Sequence, residues 1–206
     1  MRAKVRDERT GQSFDYTRHP DGALWTGVYA PANAPEWAKD LEGLCNAIEK
    51  AERYKNAQLV RPIELNLPHE LTLEQNRRLL QDYIRENFTR KGYAVIAAIH
   101  APGQDGDERN IHAHLLVTLR TLDENGFART KREQQQQDYK SRGKHVVGLR
   151  ESWAKLGERH LERAGQTLEA ARWRHGHLTL AEQREAALAR GIWNLPSAAT
   201  ERRPNT

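Results

Sequence analysis

YAVIAAIHAPGQDGDERNIHAHLLVTLR, running from Tyr93 to Arg120, decides how this chain is read. Two short apolar runs, Ala94 to Ile99 and Leu115 to Leu119, flank a loop rich in Gly, Pro, Asp and Asn, so both read as strands. His112 and His114 are two positions apart on the second strand, and the period of two sends both imidazoles to one sheet face while Ala113 and Leu115 take the other. His100 closes the first strand, where a hairpin or a crossover brings it beside them. A single histidine at a strand end usually packs or faces solvent. A His-x-His pair following a third strand-end histidine points instead to a metal or proton-transfer site, and its natural form is a three-histidine centre with open coordination positions. The loop carboxylates Asp105, Asp107 and Glu108 could ligate, orient a ligand histidine or solvate the surface, and solvation is the reading for Asp105 and Asp107.

Before this stretch, Pro68 to Glu74 leads into a helix with Thr72 as N-cap and Gln75 completing a capping box. Its apolar positions Leu79, Leu80, Tyr83, Ile84 and Phe88 cover one side of a sheet, and Gly92 stops it. Leu59 to Leu67 alternates as a strand, with Ile63, Leu65 and Leu67 on one face and Glu64 and Asn66 on the other. Glu64 either accepts a hydrogen bond from a ligand imidazole or is a plain polar strand residue. Further upstream, a helix is expected from Asn33 or Ala34, with Pro35 in its first turn and Trp37, Leu41, Leu44, Ile48 and Ala51 as its stripe. It ends in the charged cluster Glu49, Lys50, Glu52, Arg53 and Lys55. Ala23 to Tyr29 reads as a short strand, and residues 1–22 are charged and turn-rich.

Downstream of Arg120, Asn125 and Gly126 mark a turn. Residues 121–145 are polar and basic, with four successive glutamines and no apolar stripe, which predicts a flexible insertion. Val146 to Ala164 is a helix with Leu149, Trp153, Leu156, His160 and Leu161 inward. Leu180 to Arg190 is a further short helix, and 199–206 a disordered tail. His175 and His177 repeat the His-x-His spelling, but without a strand around them the spacing has no shared-face consequence. Strand and helix alternate, so the fold class is α/β (α+β), a single domain over 1–198.

With 206 residues the chain can bury one sizeable core. A net charge of +5 and a pI near 9.4 suit a phosphate-bearing partner, as they suit many soluble proteins. The single cysteine, Cys45, excludes an internal disulfide, so a reducing compartment is the default. The first residues lack an apolar stretch, and no run approaches the ~18 apolar residues of a membrane span, so a cytoplasmic location is expected.

Four pieces then resemble the relaxase domain of the MobA/MobL family, the plasmid mobilisation nucleases that also open many TraA-type transfer proteins. They are DERTGQSFDYTR (Asp7 to Arg18), EKAERYKNAQLVRPIELNLPHELTLEQNRRLL (Glu49 to Leu80), AIHAPGQDGDERNIHAHLLVTLR (Ala98 to Arg120) and LRESWAKLGERHLERAG (Leu149 to Gly165). The resemblance implies a largely antiparallel sheet with helices on one face and the metal site on the other, and a helical C-terminal part. It implies one divalent ion (Mn²⁺, Mg²⁺ or Zn²⁺) on His100, His112 and His114, and a tyrosine that attacks a phosphodiester at an origin of transfer. It also implies contacts to single-stranded or hairpin origin DNA from Arg53, Lys55, Arg109, Lys131, Arg132, Lys140 and Arg142. Accessory relaxosome proteins and a type IV secretion coupling protein are the implied partners.

The attacking tyrosine of the relatives stands directly before an Arg-Ala pair, and here Arg2 and Ala3 match that pair while Met1 takes the tyrosine's place. The resemblance therefore leads one to expect a sequence short of one N-terminal strand and the tyrosine helix, with Tyr16 in FDYTR and then Tyr29 as early substitutes. Two further readings stay open on the sequence: a non-catalytic single-stranded-DNA-binding remnant, and a rolling-circle replication initiator nuclease, against which the LNLPHELT and RNIHAHLL stretches speak.

Overall fold

In the computed structural model, which describes residues 4–15, 23–52, 54, 56–102, 107, 109–130 and 139–175, the quoted stretch supplies the two central strands of a four-stranded antiparallel sheet. Its strands are β3 (Trp25–Tyr29), β4 (Val60–Asn66), β5 (Val95–His100) and β6 (His112–Thr118), in spatial order β3-β5-β6-β4. Burial alternates along β5, where Val95, Ala97 and Ile99 are sealed and Ile96, Ala98 and His100 are not. On β6, Ala113, Leu115 and Val117 share the sealed face, while His114 and Leu116 are exposed on the other.

Helix α2 (Leu73–Asn87) covers the sealed face with the residues its periodicity selects. Leu79, Leu80, Tyr83, Ile84 and Phe88 are each at most 1% exposed, so each adds about 1.5–3 kcal/mol of burial. Both halves of the capping box form: the Gln75 amide donates to Thr72 Oγ1 at 3.3 Å, and the Thr72 amide donates to Gln75 Oε1 at 2.8 Å. Beyond Phe88 the chain tightens into a single 3-10 turn, and Gly92 closes it at φ +89°, a value that only glycine takes at little cost.

Helix α3 (Tyr139–Arg163) packs over α2, and the short α4 (Thr167–Arg174) folds back on α3. Trp153 sets its edge against the Tyr83 ring at 5.0 Å and lies 6.0 Å from Trp173, while His160 Nε2 meets Asp82 at 3.0 Å. A Cβ on Gly157 would fall 2.2 Å from the Trp173 ring, so the close approach of α3 and α4 needs glycine there. The helix begins at Tyr139, earlier than Val146, and β7 (Leu122–Asp123) and β8 (Gly126–Phe127) form a hairpin ahead of it. Within the span 121–145, where a flexible insertion was expected, the described residues thus hold a hairpin and the start of a helix. Lys140, Arg142 and Lys144 are good helix formers and extend a helix whose later turns are packed, without needing a stripe of their own.

The histidine face carries a helix as well, at its opposite end. Helix α1 (Leu41–Ala51) sets Leu44 and Ile48 into a second core with Ala38, Ala94 and Leu122, against Val28 and Ile96 of the sheet. The expected single helix from Asn33 or Ala34 divides here. A 3-10 turn spans Glu36–Lys39, Asp40 is extended, and its side chain accepts the Gly43 amide at 2.9 Å to cap α1.

Residues 1–22 contain a hairpin that turn signals alone did not reveal. β1 (Lys4–Arg6) and β2 (Ser13–Asp15) pair around a turn held by the Asp7 carboxylate, which accepts from the Arg9 and Thr10 amides and the Thr10 hydroxyl. Side chains of α1 fasten it: the Arg6 amide donates to Glu42 at 2.9 Å, and Asn46 Nδ2 donates to the Arg6 carbonyl at 2.9 Å. The expected helix at Leu180 to Arg190 and the tail at 199–206 lie outside the described residues.

The alternation on β6 generates a pair of measurements. Leu115→Ala, at a site with 0% exposure, should lower unfolding free energy by about 3 kcal/mol in urea denaturation. Leu116→Ala, on the histidine face and 38% exposed, should cost under about 1 kcal/mol.

Candidate metal centre

Strand register assembles the site. His100 pairs directly with His112, and His112 with Asn66 across the other ladder; one row along, Ala98 pairs with His114 and His114 with Glu64. All six side chains lie on one face because every partner in an antiparallel row shares its face. The three imidazoles gather with ring centroids 5.7 Å apart for His100 and His112, 5.2 Å for His100 and His114, and 5.0 Å for His112 and His114. Ala98 presents a methyl group where a longer residue would fill the space beside His114.

One donor atom each from Glu64, His112 and His114 lie within 4.8 Å of one another. Tetrahedral ligands at metal–nitrogen distances near 2.1 Å sit about 3.4 Å apart, so small side-chain rotations bring this set to bonding geometry. Residue types agree with spacing: neutral imidazoles and one carboxylate suit Mn²⁺, Zn²⁺ or Co²⁺ by ligand softness, and Mg²⁺ by the carboxylate. His112 Nδ1 lies 3.1 Å from the Asn110 carbonyl, which can only accept, so Nδ1 is the nitrogen that donates and Nε2 is the one left to face a ligand. Glu64 faces His114 directly, as a neighbour close enough to ligate as well as to orient. Sequence reasoning passed over Asn66 as a member of the cluster, although its place beside Glu64 in the alternation was the available signal.

The remaining expected residues divide. Arg109 is exposed and held by Asp107, with Nη2 to Oδ2 at 2.7 Å and Nε to Oδ1 at 3.0 Å, and this pairing draws the Asp107 carboxyl down to about 2. Asp107 therefore organises its loop, where solvation alone was expected. Tyr29 is on the wrong side of the sheet: it pairs with Val95 on the sealed face, lies beside Trp25, and hydrogen-bonds Gln81 while burial raises its pKa. Tyr16, Arg53, Lys55, Lys131, Arg132 and Met1 lie outside the described residues, as do the side chains of Lys140 and Arg142. His175 ends α4, remote in sequence from any strand, and His177 is outside the description.

Past Thr118, at the end of β6, a cleft of about 1040 Å³ opens between the end of α1 and the β7–β8 hairpin. Lys50, Tyr54, Arg129 and Thr130 line it, and Tyr54 is 82% exposed. Its floor is a mostly buried ion pair, Arg120 Nε to Glu52 at 3.0 Å, from which Arg120 Nη1 also reaches the Ala128 and Arg129 carbonyls.

Sequence and structure comparisons agree with this architecture. A model of the MobA/MobL family matches residues 1–184. The chain is 30% identical over 92% of its length to "Mobilization protein MobL" of Acidithiobacillus ferridurans, of which it covers 52%. It is 39% identical over 62% of its length to "Probable mobilization protein MobA" of Bifidobacterium longum, covering 22% of that protein. With "Conjugal transfer protein TraA" of Agrobacterium fabrum the figures are 36%, 63% and 12%, so the chain spans about half or less of these curated relatives. A solved structure reported as "Molecular Basis of Vancomycin Resistance Transfer in Staphylococcus aureus" superimposes with TM-score 0.66 at 30% identity, over 79% of this chain and 81% of that one. The fold is of the relaxase type. Among the described residues no helix is long and apolar enough to cross a membrane.

Tyr29→Phe tests the face assignment. Loss of one half-buried hydrogen bond should cost about 1 kcal/mol in chemical denaturation and leave Co²⁺ titration of the protein unchanged.

Proposed function

The chain belongs to the MobA/MobL family, and from this premise we propose that it is a DNA relaxase, nicking one strand of plasmid origin-of-transfer DNA during conjugation or mobilisation, with a divalent ion and tyrosine transesterification. The observation that carries the reading is the cluster of His100, His112 and His114 with Glu64 on an open sheet face. His100, His112 and His114 hold the ion, and Glu64 ligates it or steadies a ligand imidazole. A bound ion supplies charge that polarises a phosphodiester and stabilises the build-up of negative charge at phosphorus.

In the attack, a tyrosine oxygen forms a bond to phosphorus as the bond to the 3′ oxygen breaks; the 5′ phosphate stays on the protein and the 3′ oxygen leaves as a hydroxyl. The aryl oxygen is a good enough leaving group to make nicking reversible. Tyr16 is the substitute this sequence offers for the tyrosine of the relatives, whose place before the Arg2-Ala3 pair is taken here by Met1. Positioning of that oxygen is a large share of the rate, so its distance from the histidines decides activity.

The substrate is single-stranded at the scissile step, because a strand held in a duplex is not free to lay its phosphodiester and neighbouring bases across the sheet face. Arg109, in the loop before β6, and Arg53, Lys55, Lys131, Arg132, Lys140 and Arg142 contact the backbone. Tyr54, Lys50 and Arg129 in the cleft offer stacking and charge in the combination that single strands use. Relaxosome proteins and a secretion coupling protein are the proposed assembly partners, in the bacterial cytoplasm.

Metal analysis checks the centre: the parent protein should take up one Mn²⁺ or Co²⁺ per chain, and His112→Ala and His114→Ala should each bind far more weakly. Undiminished stoichiometry in both variants would remove the assignment. DNA binding should favour single strands over the matching duplex and weaken tenfold or more between about 50 and 200 mM salt, with a shallower slope once Lys131, Arg132, Lys140 and Arg142 are neutralised.

A labelled origin oligonucleotide incubated with Mn²⁺ and run on a denaturing protein gel separates enzyme from binding module. A shifted covalent band that disappears in Tyr16→Phe supports transesterification through Tyr16. Metal and single-strand binding without any band corresponds to the binding-only reading.

A further inference from the structure

The loop that enters β6 is held at both ends. At its start the Asp107 carboxylate accepts the Arg109 amide at 2.9 Å, and the Asp107 carbonyl accepts the Asn110 amide at 2.8 Å. The Ile111 amide donates back to the Arg109 carbonyl at 2.9 Å, and the Ile111 carbonyl accepts the Leu67 amide at 2.9 Å, tying the loop's end to the extension of β4. Between these anchors the Asn110 carbonyl projects at the His112 ring, 3.1 Å from Nδ1. An aspartate side chain bonding the amide two residues on is a compact turn that fixes the direction of the following peptides.

We propose that Asp107 is a positioning residue for the metal centre: its turn aims the Asn110 carbonyl, and that carbonyl holds His112 in the Nδ1–H tautomer with Nε2 directed to the ion. The inference rests on the reading of His112 as a ligand. A free imidazole exchanges between tautomers, and a ligand histidine whose second nitrogen is fixed loses that freedom before binding, which is how outer hydrogen bonds raise affinity. Shape, and not charge, is the property Asp107 contributes. Asparagine keeps the oxygen at the same reach, whereas glutamate keeps the charge and its pairing with Arg109 but moves the oxygen one methylene too far to close the turn.

The experiment reads two independent quantities on the full chain. In metal-free protein labelled with ¹⁵N at histidine, two-bond proton–nitrogen correlations report the His112 tautomer; in parallel, Co²⁺ titration reports affinity. The parent and Asp107→Asn should both show the Nδ1–H form and matching affinities. Asp107→Glu and Asp107→Ala should show a mixture of tautomers and bind Co²⁺ about tenfold more weakly.

A pure Nδ1–H form in Asp107→Glu and Asp107→Ala overturns the proposal, as does an Asp107→Asn protein as impaired as Asp107→Ala, since the ion pair would then be the active element. Should Asp107→Ala fail to fold, the Asn and Glu variants still decide between shape and charge. The tautomer measurement needs no metal. If His112→Ala and His114→Ala leave Co²⁺ binding intact while the tautomer follows Asp107 as described, the metal reading falls and the role of the turn stands.

Discussion

The direct cross-strand pairing of His100 with His112 is the constraint on which the rest depends. It exists because Val95, Ala97 and Ile99 on one strand and Ala113, Leu115 and Val117 on the other must all meet α2. A register slip of one residue would send both His112 and His114 into that core and turn Leu115 out to water, a loss of several kcal/mol from each mismatched position. Packing on the sealed face therefore specifies the geometry of the open one. The histidines are placed by side chains on the opposite face of the sheet.

That arrangement separates stability from chemistry. The imidazoles and Glu64 stand on a backbone whose strands are already fixed, so a ligand meets a nearly preformed site and little ordering entropy is left to lose. The electrostatics fit the same logic. Three neutral rings leave a bound cation most of its charge, and one carboxylate offsets part of it. Positive residues lie in other elements, at the loop before β6 and around the cleft near α1, and not among the imidazoles.

Much of this was legible in the sequence, for physical reasons that differ by element. The strand pair and α2 are written in two strong periods with an unambiguous cap, Thr72 with Gln75, and the His-x-His spacing has one structural meaning once a strand is assumed. The β1–β2 hairpin was missed because strands of three residues carry almost no period, and its support comes from Glu42 and Asn46, far along the chain. The split before α1 was missed because Trp37 and Leu41 fit one helical stripe, while Asp40 gains more by capping than by continuing the helix. Asp107 looked like surface charge because its bonds run to backbone amides, which no side-chain pattern displays. Tyr29 could be set aside only when the register put it across the sheet from the histidines.

Helix α1 has a consequence beyond its own packing. By resting on the far half of the histidine face, it gives one continuous sheet surface two kinds of tenant: an apolar half closed by Ala38, Leu44 and Ile48, and a polar half open to ligand. The two halves answer to different pressures. Substitutions around α1 and its attached hairpin can remodel that half while the histidine end stays unaltered, and the histidine end can be tuned without repacking the helix. A scaffold divided in this way can let one end drift while the other is held fixed.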